Sequence, residues 1–455
     1  MKRVSLQGMG ILLVAALGVA VISAVFVISG TLAWTSYPLW SDQFGTTGTT
    51  MDNRVTALAT TGRELYVAGY VGYPHAGSPL NGSLFISKFD ANHVMSWNRQ
   101  FGNAIYDQIT SVAVKNQTLY ATGSSGSNTF ILKYDLNGNR TWQTSYQNSS
   151  AQSISIGQAA IYVGGTTQAR YPRDVFVNSY DSRGNLTWTR LLYNYDTLVG
   201  VLASSDGVYV AGARLYDRGF LQKYDLSGNA IWNVTLNVLN VRQVAILTGF
   251  TSDNTGLYLT GDTTLPLSGN SLANDAGLFD MFIRKYDFNG NQVWTDEFAM
   301  PDHSDALRPK ITTDNSGVYA VVNTQANNAF VFKYDGNGNH IWTTEIQASP
   351  PPGIPLFIRP ESIEVGSGGV YVGGSLGGAL SGLVQLAYRD AFVIEYSLSS
   401  SLVFFALTPP FSYIGYGTLV SAPLLLALAL KLIRHRRIGE SSRPGRSSEL
   451  HHRLN

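Results

Sequence analysis

The segment Lys133-Tyr-Asp-Leu-Asn-Gly-Asn-Arg-Thr-Trp142 is one copy of a phrase that recurs along this chain. The shared pattern is Lys-Tyr-Asp-x-x-Gly-Asn-x-x-Trp, with a constant separation between Asp and Trp. Clear copies end at Trp142, Trp232, Trp294 and Trp342, looser copies end at Trp97 and Trp188, and a decayed copy runs from Glu395 to Phe404. Such self-similarity indicates a repeat architecture, in which one supersecondary unit is copied along the chain.

A second phrase, apolar-Tyr-Val-Ala-Gly, falls between successive tryptophan units. Its tyrosines are Tyr66, Tyr120, Tyr162, Tyr209, Tyr258, Tyr319 and Tyr371. Each unit spans roughly 45–60 residues and holds four short strand-like runs, which is typical of a propeller blade. The 46 glycines and the 12% of aromatic residues suit short strands joined by tight turns. The sequence therefore predicts an all-β fold, a seven-bladed β-propeller.

The second repeat predicts where the strands of a blade lie. We place them at residues 109–114, 119–123, 130–134 and 141–146. Asp135 and Gly138 are predicted to form the hairpin turn between the third and fourth strands. The Asp carboxylate would accept hydrogen bonds from the following amides, and Gly tolerates a positive φ.

Tryptophan is predicted to fill the space between neighbouring blades. The docking residues are Trp40, Trp97, Trp142, Trp188, Trp232, Trp294 and Trp342. The first of them begins Trp40-Ser-Asp-Gln-Phe-Gly45, which matches Trp97-Asn-Arg-Gln-Phe-Gly102. We therefore expect the Trp40 strand to complete the last blade and close the ring, which removes exposed strand edges. The segment around Phe404 is the alternative occupant of that position.

These two phrases resemble the SBBP-type β-propeller repeat family, which is similar in pattern to the tryptophan-docked blades of quinoprotein propellers. The resemblance covers residues 40–404. It implies a propeller and says little about function, because propellers host enzymes, binding modules and scaffolds. The chain has no cysteine, so it lacks the adjacent cysteine pair that the resemblance to quinone-dependent dehydrogenases would require.

Two uncharged apolar stretches, 9–28 and 411–430, flank the repeats. Each is long enough to cross a bilayer, and the basic run Lys431-Leu-Ile-Arg-His-Arg-Arg437 predicts a stop-transfer signal with a cytoplasmic tail. The sequence predicts that the protein lies in the cell membrane, with the lipid bilayer as a partner, the propeller extracytoplasmic, and both termini cytoplasmic unless the first segment is cleaved. The predicted domains are a transmembrane anchor or signal segment (1–33), the propeller (34–405), a transmembrane helix (406–433) and a basic tail (434–455).

The charge distribution argues against nucleic-acid binding. The tail from Lys431 carries seven Lys/Arg and two acidic residues, while the whole chain has a net charge of only +1, so the predicted ectodomain is acidic. An extracytoplasmic surface would also expose glycosylation sequons. They begin at Asn81, Asn116, Asn139, Asn148, Asn185 and Asn233.

The order of strands divides the predicted propeller into two faces. The turns between first and second and between third and fourth strands form what we call the turn face. The remaining connections form the loop face. Both flanking segments are expected to leave from the turn face, so that the loop face points away from the bilayer. Four long insertions are predicted on the loop face, where recognition or neutral loop drift could account for them: 70–83, 262–280, 348–360 and 375–390.

Acidic residues at the loop face are the candidate ligand contacts, together with His303. They are Asp52, Asp107, Asp174, Asp196, Asp280, Asp305 and Asp390. They would bind a cation or a cationic partner, or hydrogen-bond to strand ends and turns. The Asp-x-Asn-x-Asn turns resemble half of a calcium loop, but turn chemistry already explains them. We therefore predict no cofactor, keeping calcium as an alternative, and no metal or catalytic residue.

The leading hypothesis from the sequence is a non-enzymatic binding module for a protein or glycan partner. The alternatives are an extracytoplasmic hydrolase or lyase with a site at the channel mouth, and a structural envelope spacer. A cluster of His, Asp and Arg side chains at the channel mouth would favour the enzyme.

Overall fold

The computed structural model describes residues 34–35, 38–45, 48–74, 82–102, 107–168, 173–214, 219–236, 245–264, 267, 279–350, 356–398 and 401–402. All of them lie in one compact unit, Ala33–Leu402. Both predicted membrane segments lie outside the described residues. Within those residues no helix is long and apolar enough to cross a membrane. All regular elements of the described part are strands, and their arrangement is that of a β-propeller.

The strands follow one another as antiparallel meanders of similar length. In chain order they are β1 (Trp34–Thr35), β2 (Pro38–Phe44), β3 (Gly48–Thr61), β4 (Glu64–Pro74), β5 (Ser83–Phe89), β6 (Met95–Phe101), β7 (Asp107–Lys115), β8 (Thr118–Ser125), β9 (Asn128–Asp135), β10 (Arg140–Tyr146), β11 (Ser149–Ile156), β12 (Ile161–Thr167), β13 (Val175–Tyr180), β14 (Leu186–Leu192), β15 (Thr197–Ser204), β16 (Gly207–Ala213), β17 (Gly219–Tyr224), β18 (Ala230–Leu236), β19 (Ala245–Ser252), β20 (Leu257–Thr263), β21 (Asp280–Tyr286), β22 (Gln292–Phe298), β23 (Ala306–Asp314), β24 (Gly317–Thr324), β25 (Ala329–Tyr334), β26 (His340–Glu345), β27 (Ala348–Ser349), β28 (Phe357–Val365), β29 (Val370–Gly377), β30 (Ala379–Leu380), β31 (Ala387–Tyr396) and β32 (Ser401–Leu402).

Four-stranded sheets are the repeating unit of the described chain. Strands β7–β10, β11–β14, β15–β18, β19–β22 and β23–β26 each form a separate sheet. Strands β3–β6 form a further meander, joined to β2, β28, β29 and β31 in an eight-stranded sheet. The join is a short parallel pairing in which Gly48 lies opposite Ala387 and Asp52 lies opposite Arg389.

The predicted role of the Trp40 strand is confirmed by its pairing. Strand β2 lies antiparallel to β31, with Pro38 opposite Tyr396 and Phe44 opposite Ala391. Before it, β1 pairs with β32, so that the chain enters and leaves this unit side by side. The first and last described strands therefore lie together beyond the point where β31 ends.

The first strand of each meander lines a central channel of about 300 Å³. Side-chain hydroxyls link neighbouring inner strands: Thr56 Oγ1 donates to the Ile109 carbonyl at 2.7 Å, and Thr110 Oγ1 donates to the Ala151 carbonyl at 3.0 Å. At the junction of β28 with β3, Thr60 Oγ1 donates to the Val365 carbonyl at 2.8 Å. The inner strands of the last and first meanders are thus joined like the others.

In six of the described meanders, a bulge in the inner strand requires the glycine of the second phrase. In β7 the register shifts between Ile109 and Ser111, which leaves Thr110 unpaired and bends the strand. The bend brings the carbonyl of Gln108 against Gly123 of β8, where any Cβ would overlap it. The same close approach recurs at Gly69, Gly165, Gly212, Gly261 and Gly374.

Four of the predicted docking tryptophans hydrogen-bond to the hairpin of the next meander, and the Asp135 hairpin has the predicted chemistry. Trp97 Nε1 donates to the carbonyl of Leu136, in the hairpin of the next meander, at 2.9 Å. In that hairpin, Asp135 Oδ1 accepts the amides of Asn137 and Asn139, and Gly138 has a φ of 78°. Equivalent indole hydrogen bonds are made by Trp142, Trp188 and Trp294.

All four predicted loop insertions are partly strand, so those bounds were wrong; in the insertion 262–280, residues 262–263 belong to β20 and Asp280 begins β21. Residues 375–390 contain the end of β29, strand β30 and the start of β31, because pairing continues to Leu376 and Asp390. Residues 348–360 contain β27, which pairs with β30, and the start of β28. Strand β4 runs on to Pro74 because the long strand β3 still offers a partner there, with Met51 opposite Pro74.

Candidate functional site at the loop-face mouth of the channel

A cleft of about 660 Å³ opens at the loop-face end of the channel. Its position follows from the strand ends that line it, since Asp262 lies near the end of β20, Arg214 follows β16 and Phe279 precedes β21. Cleft and channel share Thr110, Gln152, Val199, Thr248 and Lys310. The loop face therefore carries a concave site that continues into the channel.

The cleft lies where one meander departs from the repeat. In β24, Val322 occupies the position that glycine holds in the other meanders, and the register of β23 skips from Leu307 to Lys310. A valine side chain cannot accept the close approach of the opposite carbonyl, so the backbone turns away and Arg308 takes a φ of 51°. The equivalent residues elsewhere are buried and apolar, such as Ile109 and Leu198, whereas Arg308 is exposed and lines the cleft.

Asp262 joins β20 to this irregular segment. Its side chain is only 4% exposed, and it accepts a hydrogen bond from the backbone amide of Arg308. Its Oδ1 is buried and makes no hydrogen bond to the part of the chain that the structure describes. Burial raises the pKa of Asp262 to about 7, and the nearby Asp305 adds to the shift while Arg308 opposes it. The carboxyl group thus changes charge near neutral pH.

Basic side chains line the rest of the polar wall. Burial lowers the pKa of Lys310, an effect that Arg308 reinforces and the Glu361 carboxylate opposes. Lys310 Nζ lies 3.4 Å from the Thr248 carbonyl. Glu361 itself is held by Arg54, with Nη1 and Oε1 3.0 Å apart. The charged residues that line the cleft are therefore three basic ones, Arg214, Arg308 and Lys310, and one acidic one, Asp262.

Deeper in the channel, Glu364 lies on β28. Burial raises its pKa to about 8, because the surrounding protein replaces the water that would solvate the carboxylate. The unfolded chain ionises this carboxyl near its ordinary pKa, but the folded chain keeps the proton until about pH 8. The folded state therefore loses stability as the pH rises between those two values.

We expect Glu364→Gln to raise the free energy of unfolding by about 1–3 kcal/mol at pH 8, since channel water screens part of the charge, and to leave it nearly unchanged at pH 4. Denaturant unfolding of the full-length chain across this pH range measures the difference. Glu345→Gln, at an exposed position, is the matched control. If the difference in free energy of unfolding between Glu364→Gln and wild type does not grow with pH, Glu364 is not a buried carboxyl without a compensating charge.

The structure places Asp52 in an ion-pair network, apart from the cleft-lining residues. Its carboxylate lies 3.4 Å from Arg389 and 3.8 Å from Arg54, and the side chain is buried. Because Arg54 also pairs with Glu361, the network ties β3 to β28 and β31. Its geometry fits a structural role at this junction.

The other predicted acidic residues are spread around the loop face. Asp174 Oδ1 accepts the amide of Asn194, Asp305 Oδ1 accepts the amide of Phe279, and Asp390 Oδ2 accepts the amide of Leu386. Asp196 bonds to the adjacent Thr197 hydroxyl. Asp107 and Asp280 begin β7 and β21. Most of these contacts hold strand ends, which is the structural alternative that the sequence left open.

His303 and the turn motifs give no metal site within the described residues. His303 is exposed in a turn, with a φ of 53°, and its amide donates to the Met300 carbonyl. In the Asp-x-Asn-x-Asn turns the Asp oxygens accept amide hydrogens, as Asp287 does from Asn289 and Asn291. No group of three or more possible metal-ligating side chains is found among the described residues.

Five of the six sequon asparagines are described, and all five are exposed; Asn81 lies outside the described residues. The five are Asn116, Asn139, Asn148, Asn185 and Asn233. The side-chain amides of Asn139 and Asn185 donate to Asp135 and Asp181 in the hairpins. Their glycosylation stays a prediction.

Arg308 and Lys310 are not among the site residues predicted from the sequence, and Asp262 appears there only as the edge of an insertion. The signal was present in the second phrase, where the sixth copy reads Tyr319-Ala-Val-Val322 instead of ending in glycine. A broken repeat position marks a place where the chain must adopt another backbone path.

No family model matches this chain, and no curated protein does. Among solved structures, the WD40 domain of Neurospora crassa Pan2 is similar at 10% identity and a TM-score of 0.45, over 75% of this chain and 89% of that one. BBS1N, solved in complex with ARL6DN, shares 10% identity at a TM-score of 0.48, over 82% of this chain and 100% of that one. Chaetomium thermophilum Raptor shares 14% identity at a TM-score of 0.49, over 82% of this chain and 30% of that one. The assignment as a β-propeller rests on the strand pairing, and the SBBP-type resemblance stays a prediction.

Proposed function

We propose that this chain is a membrane-anchored, extracytoplasmic propeller of seven blades that binds a protein or glycan partner through its loop face. The observation that carries the proposal is the cleft at the loop-face mouth of the channel, which combines apolar and charged lining residues in one concavity. Binding sites in proteins are typically concave, largely apolar and fitted with a few polar groups that fix orientation.

The chain ends support the orientation in this proposal. Strand β2 begins opposite Tyr396, where β31 ends at the turn face, and β1 pairs with β32 just beyond. The apolar stretches 9–28 and 411–430 lie outside these strands in the sequence. If they anchor the chain, the loop face is directed away from the bilayer and is open to a partner.

A hydrolase or lyase is the second candidate, favoured by the surroundings of Asp262. A carboxyl with a pKa of about 7, beside Arg308 and Lys310 in a cleft, has the protonation behaviour of a general acid or base. Turnover that Asp262→Asn abolishes while ligand binding persists would identify an enzyme. Binding without turnover would identify the binding module.

A pair of matched substitutions tests the loop-face proposal. Ile246 lines the cleft and is 37% exposed, whereas Val293 lies on the outer strand β22 and is 56% exposed. Full-length chain is probed against arrays of extracellular proteins and glycans as wild type, Ile246→Lys and Val293→Lys. We expect the cleft substitution to weaken binding of any captured partner at least about tenfold, because a desolvated ammonium group would occupy the contact. The outer-strand substitution should bind like wild type.

Two outcomes would overturn the proposal. One is equal loss of binding in both variants, which would place recognition elsewhere. The other is absence of any bound partner for a chain whose circular dichroism and cooperative unfolding show that it is folded. The second outcome would favour the envelope spacer.

A further inference from the structure

We propose that the loop-face cleft selects a carboxylate group carried on an apolar stem, either a small molecule or the anchoring side chain of a partner. The inference rests on the proposed function in placing recognition at this face, and it adds the chemistry that the site recognises. The charged lining residues and the apolar lining residues lead to it separately.

The charges of the lining residues favour an anion. Arg214, Arg308 and Lys310 line the cleft, with Asp262 as the carboxyl among them. The side chain of Arg308 is exposed at the mouth because its backbone has turned out of the strand ladder. Guanidinium groups bind carboxylates through paired hydrogen bonds. A cationic ligand would instead meet the guanidinium groups of Arg214 and Arg308 and the amino group of Lys310.

The apolar lining favours a stem that is not itself charged. Leu198, Ile246, Leu247, Phe279 and Leu307 contribute side chains to the cleft. The volume of about 660 Å³ exceeds that of an inorganic anion by a wide margin, so an inorganic anion would leave this surface uncovered. A ligand with an aromatic or aliphatic body would cover this apolar surface and remove it from water, which stabilises the complex.

Asp262 makes the selection depend on pH. The charged and titratable groups around it are Asp305 and Arg308, with Arg214 and Lys310 on the same cleft wall. In its protonated form Asp262 is neutral and does not repel a carboxylate bound in the cleft that it lines. In its ionised form it repels the ligand, so affinity falls as the pH rises through about 7.

Three ligands that share one apolar body test the charge selection. The probes are 4-phenylbutyrate, 4-phenylbutyramide and 4-phenylbutylammonium, titrated into the full-length chain at pH 6 and pH 8 by calorimetry or ligand-observed NMR. We expect the carboxylate to bind at least about tenfold more tightly than the amide at pH 6, with no measurable binding of the ammonium. The affinity for 4-phenylbutyrate should fall several-fold between pH 6 and pH 8.

Four variants assign the effect to named side chains. Arg308→Gln and Lys310→Met should each weaken carboxylate binding about tenfold and leave amide binding unchanged. Asp262→Asn should remove the fall in affinity between pH 6 and pH 8. Lys115→Met, at an exposed position on the turn face, should bind like wild type. Arg308 is exposed, so its variant is expected to fold even if the half-buried Lys310 cannot be replaced.

Equal affinity for the three probes would overturn the inference, as would wild-type carboxylate binding by Arg308→Gln. The proposed function fails separately. If the Ile246→Lys variant retains partner binding while carboxylate selectivity holds, recognition of the macromolecule lies elsewhere. If partner binding follows the cleft but the probes show no preference, only the carboxylate chemistry is wrong.

Discussion

Gly123→Ala is expected to lower the free energy of unfolding by about 3 kcal/mol or more, which is large for the addition of one methyl group. The Cβ would overlap the carbonyl oxygen of Gln108 and approach the Phe130 ring. Both neighbours lie in the same sheet, so relief requires β7 to move away from β8 and break ladder hydrogen bonds. Urea unfolding followed by tryptophan fluorescence measures the change.

Gly336→Ala is the matched control for this substitution. Gly336 lies in the hairpin between β25 and β26, where an added Cβ would meet no atom within 4 Å, and its φ lies outside the left-handed region. We expect a change within about 0.5 kcal/mol. A cost below about 1 kcal/mol for Gly123→Ala would contradict the account that the bulge demands glycine.

Gln43→Ala is expected to cost about 3–5 kcal/mol, because it removes three hydrogen bonds to buried groups, of which Asp390 Oδ2 alone keeps another described side-chain bond, to the Leu386 amide. Gln43 Nε2 donates to the Gly378 carbonyl and to Asp390 Oδ2, each at 2.8 Å, and its Oε1 accepts the Leu380 amide at 3.0 Å. These bonds join β2 to residues more than 330 positions later in the chain. Thermal or urea unfolding measures the loss.

Ser41→Ala, on the same strand, is the control and should change stability by less than about 0.5 kcal/mol. Comparable effects for the two variants would mean that β2 contributes through its backbone alone. An unfolding transition of Gln43→Ala that splits into two steps would show that β2 detaches before the rest of the propeller unfolds.

The junction beside β2 departs from the others in one respect. At the hairpin position where the other repeats carry glycine, the first repeat has His93, whose ring stacks on Trp40 at 4.5 Å. Its Nε2 lies 2.7 Å from Glu395 Oε2 on β31. The imidazole thus contacts both strands of the closing pair, which the glycine of other junctions cannot do.

Much of the fold was predictable because its determinants are local and repeated. The Asp135 hairpin is fixed by hydrogen bonds within five residues, and Trp97 docks on the same hairpin position that Trp142 meets in the next meander. The match between Trp40 and Trp97 predicted the closing strand for the same reason. Because the copies share one sequence pattern, the strand bounds and the contacts of one repeat predict those of the others.

The cleft was not predictable, since it depends on where the repeat fails. Val322 changes the backbone at Arg308, a residue 14 positions earlier in sequence, and the consequence is visible only when β20 supplies Asp262 from the neighbouring sheet. The extra strand length at Leu376 and Asp390 likewise depends on pairing partners that are distant in sequence. The positions that differ from the repeat pattern are visible in the sequence. The structure that results at each of them depends on packing against residues that are distant in sequence.

The most direct measurement is a disulfide between β2 and β31 in a chain that has no cysteine of its own. Ser41 and Ile394 are register partners, and Cα separations in antiparallel pairs lie within the range that a disulfide spans. We expect Ser41→Cys with Ile394→Cys to form an intramolecular disulfide under mild oxidation, seen as one linked peptide by mass spectrometry. Closure would then place both chain ends at the turn face and leave the loop face open for recognition. Free thiols, or disulfides between molecules, would contradict closure by the N-terminal strand.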